Sequence, residues 1–233
     1  MAEAFNTPIR ALKRFWPTTC KLCGCRSDRA MNACSPCLAT LPKAEYGCAR
    51  CALVLPHSVE LCGGCLKKLP AFDRTFAAFV YRQPVSGLIQ RFKFSGDLAA
   101  GRVLAQLLAA EINISQADLP ELMIPVPLYR TRQWRRGFNQ AELICRDLHK
   151  SLGIDWLPAL KRIRATQAQS DLPAKQRAGN VRGAFIQSRI PNALNHVVLV
   201  DDVMTTGTTL NECARMLKKA TAARVDVWVI ARA

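Results

Sequence analysis

The run Cys20-x₂-Cys23-x₁₀-Cys34-x₂-Cys37 is repeated as Cys48-x₂-Cys51-x₁₀-Cys62-x₂-Cys65, each cysteine of the second set lying 28 residues after its counterpart. A Cys-x₂-Cys pair forms a knuckle that presents two thiolates, and two knuckles complete a tetrahedral four-sulfur shell with no open position. A segment of roughly 50 residues buries too little apolar surface to hold itself, and metal binding supplies the missing folding energy. The spacing therefore predicts two structural zinc sites. Pairing within each repeat is the preferred assignment, and the spacing alone leaves an interleaved one open. Regular four-cysteine knuckles favour zinc over an iron–sulfur cluster, and a disulfide framework is the alternative for an oxidising compartment. Cys25 maps onto Leu53 in the second repeat and is not expected to be a ligand. His57 is left over once eight cysteines fill two sites. Cys145 and Cys213 fall in helical patterns and read as small buried residues.

Beyond residue 70 the cysteines thin out and strand and helix patterns alternate. Val197 to Val200 form an unbroken apolar run, as in a strand buried on both faces of a parallel sheet, and Leu210, Ala214 and Leu217 continue at helical spacing. The turn between them sits at a strand's carboxyl end. Ligands of open α/β sheets bind there, and the free N–H groups of a helix start attract anions. Thr205, Thr206, Thr208 and Thr209 add hydroxyls, and Gly207 allows a backbone that a Cβ would hinder. Asp201 and Asp202 are acceptors, suited to the vicinal hydroxyls of a ribose rather than to phosphate. A polar turn without a ligand is the alternative, but adjacent carboxylates ending a buried strand are costly when nothing offsets them.

Further strands are expected at Thr75–Tyr81, Leu122–Val126 and Val225–Ile230, and helices at Pro84–Phe92, Leu98–Ile112 and from an Asn139 cap to Leu152. This alternation predicts an α/β fold, a mostly parallel sheet with helices on both faces. Pro125-Val126-Pro127 follows a strand, where a tight turn, cis if the prolines require it, can face a ligand or simply end the strand. Residues 161–182 carry six basic side chains, Lys161, Arg162, Arg164, Lys175, Arg177 and Arg182, against one acid, Asp171, and lack a core-facing period. They suit a lid over a polyanion or a plain connection, with Arg164 and Thr166 the residues nearest a ligand.

Residues 197–209 resemble the PRPP-binding motif of the type I phosphoribosyltransferases, with four apolar residues, two acids and a Thr/Gly-rich loop. The resemblance implies that Asp201 and Asp202 are the catalytic pair facing the ribose 2′ and 3′ hydroxyls. It implies too that Thr205, Thr206, Gly207, Thr208 and Thr209 hold the 5-phosphate, and that Mg²⁺ accompanies PRPP. Pro125, Val126 and Pro127 occupy the pyrophosphate-loop position, with Arg130 and Arg136 beyond them. Arg136-Gly137-Phe138-Asn139-Gln140, Asn180-Val181-Arg182-Gly183-Ala184-Phe185, Phe92-Lys93-Phe94-Ser95-Gly96-Asp97 and the cysteines extend the likeness to the ComF/GntX-like family over about residues 18–233. That family is implicated in DNA uptake during natural transformation and, under another name, in gluconate metabolism. The organisation implied is a leader segment at 1–17, a double zinc-ribbon module at 18–70 and a phosphoribosyltransferase-like domain at 71–233.

The excess of 33 Lys and Arg over 17 Asp and Glu gives a net charge of +16, which favours polyanionic partners. Arg132, Arg135 and Arg136 are the candidates for a nucleic-acid backbone, with Trp134, Phe138 and Phe92 able to stack on bases if exposed. The leading expectation is a protein that binds PRPP or a nucleotide and handles single-stranded DNA alongside competence-machinery proteins. A metabolic phosphoribosyltransferase with an unidentified acceptor and an assembly adaptor with a vestigial site are the alternatives. No run of 18 apolar residues occurs, and residues 5–16 have the pattern of a short basic amphipathic helix, better suited to packing on the next domain than to touching membrane or nucleic acid. The expectation is a cytoplasmic protein without stable membrane insertion.

Overall fold

A computed structural model describes residues 18–29, 31–115, 118–164, 183–188, 194–220 and 222–233. The leader at 1–17, Thr166 and most of the basic stretch around it lie outside the described residues. The chain divides into two compact units, Met1–Leu41 and Pro42–Ala233, so the two cysteine repeats fall in different units.

The duplication seen in the sequence is also a duplication of backbone bonds. In the first unit Cys20 N–H donates to the Cys25 carbonyl, Lys21 N–H to Asn32, Gly24 N–H to Cys20 and Leu38 N–H to Cys34. In the second, Cys48 donates to Leu53, Ala49 to Glu60, Ala52 to Cys48 and Leu66 to Cys62, each pair shifted by 28 residues. The antiparallel bridges Thr19↔Arg26 and Gly47↔Val54 obey the same shift. So do the short helices that follow the third cysteine of each set, α1 (Ser35–Ala39) and α2 (Gly63–Lys67).

The second unit continues as β1 (Arg74–Val80), α3 (Val85–Phe94), α4 (Leu98–Ser115), β2 (Leu122–Pro125), α5 (Arg130–Arg136) and α6 (Gln140–Leu152). It ends with β3 (Leu160–Arg162), β4 (Phe185–Gln187), β5 (Leu194–Met204), α7 (Thr208–Ala220) and β6 (Ala222–Arg232). The main sheet runs β1-β6-β5-β2 and every pairing in it is parallel, while β3 and β4 form a separate antiparallel pair. The register sets Pro125 beside Val200 and Val200 beside Trp228, so the ends of β2 and β5 emerge on one edge. Val197 to Val200 are all buried, as their unbroken apolar run requires. One face is covered by α4 and α6. On the other, α7 sends Leu210, Ala214 and Leu217 into a core shared with Leu199, Val225, Val227, Leu160 and Phe185. Among the described residues no helix is long and apolar enough to cross a membrane.

Most expected elements are present, several with longer ends, and one local expectation changes. The Arg130–Arg136 stretch, for which no element was expected, is a helix. The cis peptide among the described residues lies at Gln83–Pro84, not in the Pro125–Pro127 turn.

At the residue after each first knuckle the chain turns through positive φ. Gly24 takes +79° freely, whereas its counterpart Ala52 takes +53° with a Cβ present. That conformation costs an L-residue roughly 1–2 kcal/mol, partly returned by the lower freedom of alanine in the unfolded chain. Ala52→Gly should therefore raise the stability of metal-loaded protein by about 1 kcal/mol, and Gly24→Ala should lower it, as read from melting curves. A neutral or destabilising Ala52→Gly would show that the turn is not strained.

Candidate active site and metal centres

The four sulfurs of Cys20, Cys23, Cys34 and Cys37 lie within 4.8 Å of one another, and so do those of Cys48, Cys51, Cys62 and Cys65. Pairing is thus within each repeat. The Cys23–Cys34 and Cys51–Cys62 sulfur distances are 3.7 and 3.6 Å, close to the edge of roughly 3.8 Å that a tetrahedron with 2.3 Å metal–sulfur bonds requires. Cys34 N–H points at the Cys20 sulfur at 3.4 Å and Cys62 N–H at the Cys48 sulfur at 3.3 Å. Burial opposes ionisation of Cys20 and Cys48, yet these and neighbouring amides outweigh it and lower their thiols to about 6 and about 7. The last thiols of the sets are driven upward, Cys37 chiefly by its hydrogen bond to Cys34 and Cys65 chiefly by burial. Four packed thiols cannot all ionise unaided, and a soft divalent cation removes that conflict. Cys25 is exposed and stands outside the first cluster, and His57 outside the second. Cys145 and Cys213 are buried in the α/β core.

At the carboxyl edge of the sheet, three stretches far apart in sequence meet. Asp202, 6 % exposed, accepts Val203 N–H at 2.6 Å and an ion pair from Lys93 Nζ at 2.9 Å, both on Oδ1. Lys93 sits near the end of α3 between Phe92 and Phe94, and the stretch around residue 138 packs on both rings. Phe138 stacks on Phe92 with centroids 5.4 Å apart, and the Arg136 guanidinium lies 5.4 Å over Phe94. Gly101 permits this, since a Cβ there would sit 2.5 Å from the Phe92 ring. Asn139 caps α6 by accepting Ala141 N–H at 3.1 Å and donates to the Val126 carbonyl at 3.2 Å, which ties the buried Pro125-Val126-Pro127 turn to the helix.

Asp201 is partly buried beside Asp202. Burial first, and the Asp202 charge second, raise its carboxyl to about 7 despite nearby Lys93. After β5 the chain passes through exposed Thr205 and Thr206 to Gly207 at φ +71°, where a Cβ would collide with the Met204 methyl. The Thr206 and Thr208 hydroxyls share a hydrogen bond of 2.8 Å at the start of α7, and Thr209 follows within the helix. Hydroxyls, a left-handed glycine and a 13-residue helix start form a cradle for an anion, with two carboxylates one residue-pair upstream.

Of the arginines, Arg130 and Arg135 are exposed, whereas Arg132 and Arg136 are half-buried, Arg136 also donating to Gln140 Oε1 at 3.0 Å. Arg164 is exposed beyond β3. Two residues that sequence reasoning left out of the site are Lys93 and Arg162. Arg162 is 8 % exposed, lies 5.4 Å over the Phe185 ring, and has its basicity lowered by burial and by Arg132 while Asp201 acts in the opposite direction. It is therefore a cation within electrostatic reach of the acidic pair. A lone lysine between two phenylalanines was the only signal for Lys93. Arg162 was one basic residue among six in the 161–182 stretch, and its three-residue strand shows no alternation to single it out.

The sheet, its carboxyl-edge acids and the threonine turn are those of a phosphoribosyl transferase domain, and residues 160–233 match the model of that family. The chain is 43 % identical over 175 residues to competence protein F of Haemophilus influenzae, covering 72 % of this chain and 76 % of that one. It is 38 % identical over 172 residues to DNA utilization protein YhgH of Escherichia coli K12 (72 % and 75 % covered). With competence protein ComFC of Streptococcus pneumoniae it shares 30 % identity over 156 residues, covering 67 % of each. The chain belongs to this ComF family of phosphoribosyltransferase-domain proteins.

A carboxyl raised in the folded state holds a proton that the unfolded chain has released, so stability falls as pH climbs from about 4 to about 7 and stays lower above. Asp201→Asn removes that penalty. Without ligand it should stabilise the protein by about 2 kcal/mol at pH 8, allowing for partial exposure to water. The gain should shrink as pH falls and vanish below about pH 3.8, where folded and unfolded chains both hold the proton. Equal or lower melting temperature at pH 8 would show that the Asp201 charge serves the fold.

Proposed function

We propose that the carboxyl-edge site binds PRPP or a related nucleotide, and that the protein handles single-stranded DNA during DNA uptake. The observation carrying the first part is the Lys93–Asp202 pair. It joins two separate motifs at the strand edge, with a third packed on the rings flanking Lys93, beside a second carboxyl that is poorly accommodated without a counter-charge. Asp201 and Asp202 are the ribose and Mg²⁺ ligands, and Thr205 to Thr209 the 5-phosphate donors. The all-oxygen donor set suits Mg²⁺, which when bound would neutralise pyrophosphate. Lys93 orients Asp202, Asn139 fixes the Val126 turn against the pyrophosphate, and Arg162 adds positive charge beside Asp201. Arg130, Arg136, Arg164 and Thr166 remain the candidates for closing over the anion. Each four-cysteine centre takes one structural zinc ion. Names of relatives that refer to competence and DNA utilization support the second part.

The DNA reading has its own structural support on α5. Trp134 is 86 % exposed and Phe94 75 %, the latter under Arg136, next to exposed Arg130 and Arg135. Arg130, Thr131, Gln133, Trp134 and Gly137 line an open groove of about 650 Å³. Bases stack on such rings irrespective of sequence, while guanidinium groups follow the phosphates. Phe92 cannot contribute, being 1 % exposed and stacked on Phe138. The complete acidic pair equally suits a metabolic transferase with a small acceptor, and DNA binding separates the two.

Elemental analysis should give two zinc ions per chain, one fewer in Cys34→Ser. Calorimetry should give a PRPP affinity that Asp201→Asn with Asp202→Asn reduces at least a hundredfold, since two charge-assisted bonds carry about 1.5–3 kcal/mol each. Wild-type protein silent at millimolar PRPP would refute the site.

For single-stranded DNA, Trp134→Ala should weaken binding by about 1–3 kcal/mol for one lost stack. Arg130→Ala with Arg135→Ala should flatten the dependence of affinity on salt. An oligonucleotide affinity unaffected by all three changes would leave the metabolic transferase as the better reading.

A further inference from the structure

Arg232 ends β6 and is 8 % exposed, yet neither the fold core nor the proposed ligand contacts account for it. Its guanidinium donates to the carbonyl of its neighbour Ala233 and spans two carbonyls remote in sequence. Nε donates to Cys51 at 3.0 Å and Nη1 donates to Met204 at 3.1 Å. Cys51 is a member of the second four-sulfur cluster, and Met204 is the last residue of β5, immediately before Thr205. Ala233 N–H also donates to the Met204 carbonyl, at 3.0 Å.

The chain leaving the second cysteine repeat presses on the same turn. Phe72, 1 % exposed, lies 3.8 Å from where a Cβ on Gly207 would stand. Ala71 N–H donates to Asn211 Oδ1 at 2.6 Å, in the first turn of α7. The repeat is in turn held to β1, where Thr75 Oγ1 donates to the Arg50 carbonyl at 2.8 Å and Arg50 Nη1 to the Asp73 carbonyl at 2.7 Å. The Cys51 side chain packs against both the cysteine cluster and the sheet core.

We infer that Arg232 is a positioning residue that makes the second four-cysteine centre the back support of the Thr205–Thr209 turn, so that metal at this centre sets the affinity of the turn for a 5-phosphorylated ribose. This rests on the turn being the 5-phosphate site. A turn that binds by backbone N–H groups and small hydroxyls gains affinity only if those donors are ordered before the ligand arrives. The Met204 carbonyl is the last strand position before they begin. A closed metal centre fixes the Cys51 backbone on one side, and the planar guanidinium transmits that fixed position across to Met204. A lysine ammonium is a single point on a flexible stem and cannot meet two carbonyls in this fork geometry.

The test uses full-length Arg232→Lys, Arg232→Gln and Cys62→Ser, with Arg224→Gln at the far end of the same strand as a control for losing a partly buried guanidinium. Metal content is measured by elemental analysis. Affinities for PRPP with Mg²⁺, ribose 5-phosphate and pyrophosphate are measured by calorimetry, and amide exchange is followed over residues 203–209. Both Arg232 variants should keep wild-type metal content, lose at least tenfold in affinity for PRPP and ribose 5-phosphate, change little toward pyrophosphate, and exchange faster in the turn. Cys62→Ser should lose one ion and show the same pattern, while Arg224→Gln should alter melting temperature only. Wild-type affinity in Arg232→Lys, or equal losses toward pyrophosphate and ribose 5-phosphate, overturns the inference. If wild-type protein binds neither phosphoribose, the 5-phosphate reading fails. The brace itself is then decided by exchange, and unchanged protection in Arg232→Gln rejects it. Should Cys62→Ser not fold, the two Arg232 variants carry the decision.

Discussion

Asp201 and Asp202 leave one strand side by side at the edge of a packed core, and the cost of holding two like charges there organises the surrounding structure. Asp202, nearly buried, is offset by Lys93 and by the Val203 amide. Asp201 accepts the Asp202 N–H at 2.8 Å and feels Lys93 at a distance, yet burial first and the Asp202 charge second still push it toward neutrality. The folded chain therefore carries an acid whose charged form costs stability until a cation or a hydroxyl-bearing ligand arrives. Marginal placement of this kind is the usual cost of a working site. The rest of the edge serves to keep the offsetting lysine in place. Phe92 and Phe94 flank it, and Phe138 and Arg136 cover those two rings from α5 and the turn after it.

Where a pattern is periodic and local, the sequence already contained it. The buried β-branched run became β5, the Asn139 cap is made as expected, and the 28-residue offset reappears bond by bond. The Asp201 to Thr209 cradle was legible for the same reason, being one contiguous strand-turn-helix. Lys93 and Arg162 were not legible as site residues, because their roles depend on chain crossings that no local period encodes. Lys93 reaches Asp202 across 109 positions of sequence, and Arg162 lies on a strand too short to show alternation. The helix at Arg130–Arg136 was hidden by its charge, since four arginines with no acid between them carry no apolar stripe. It is held at its end by Gly137 at φ +79° rather than by a buried face.

Two nearly identical cysteine modules thus occupy different positions in the hierarchy of the molecule. The first belongs to a compact unit of its own, and its small size would make a metal held by its four cysteines its principal source of order. The second repeats the same knuckles and bonds but lies in the unit that contains the sheet, where Cys51 joins the core beneath α7. Its left-handed position is filled by Ala52 instead of glycine, and strain of that size is affordable only where surrounding packing holds the turn. A local motif set by cysteine spacing can therefore be copied unchanged while its energetic role shifts with what its outer surface touches.

That shift bears on how charge is used along the chain. An excess of 16 positive charges would repel itself if spread at random, yet the basic groups near the carboxyl edge sort by depth. Lys93, Arg162 and Arg232 are buried or nearly so and answer to fixed partners: a carboxylate, an aromatic face and two carbonyls. Arg130, Arg135 and Arg164 remain in water, where they attract anions without fixing them. Buried cations shape a site because their partners cannot be exchanged for water, whereas exposed ones raise the local concentration of polyanions and respond to salt. One basic composition thereby divides into buried cations that shape the carboxyl-edge site and exposed ones that give the surface its salt-dependent pull on anions.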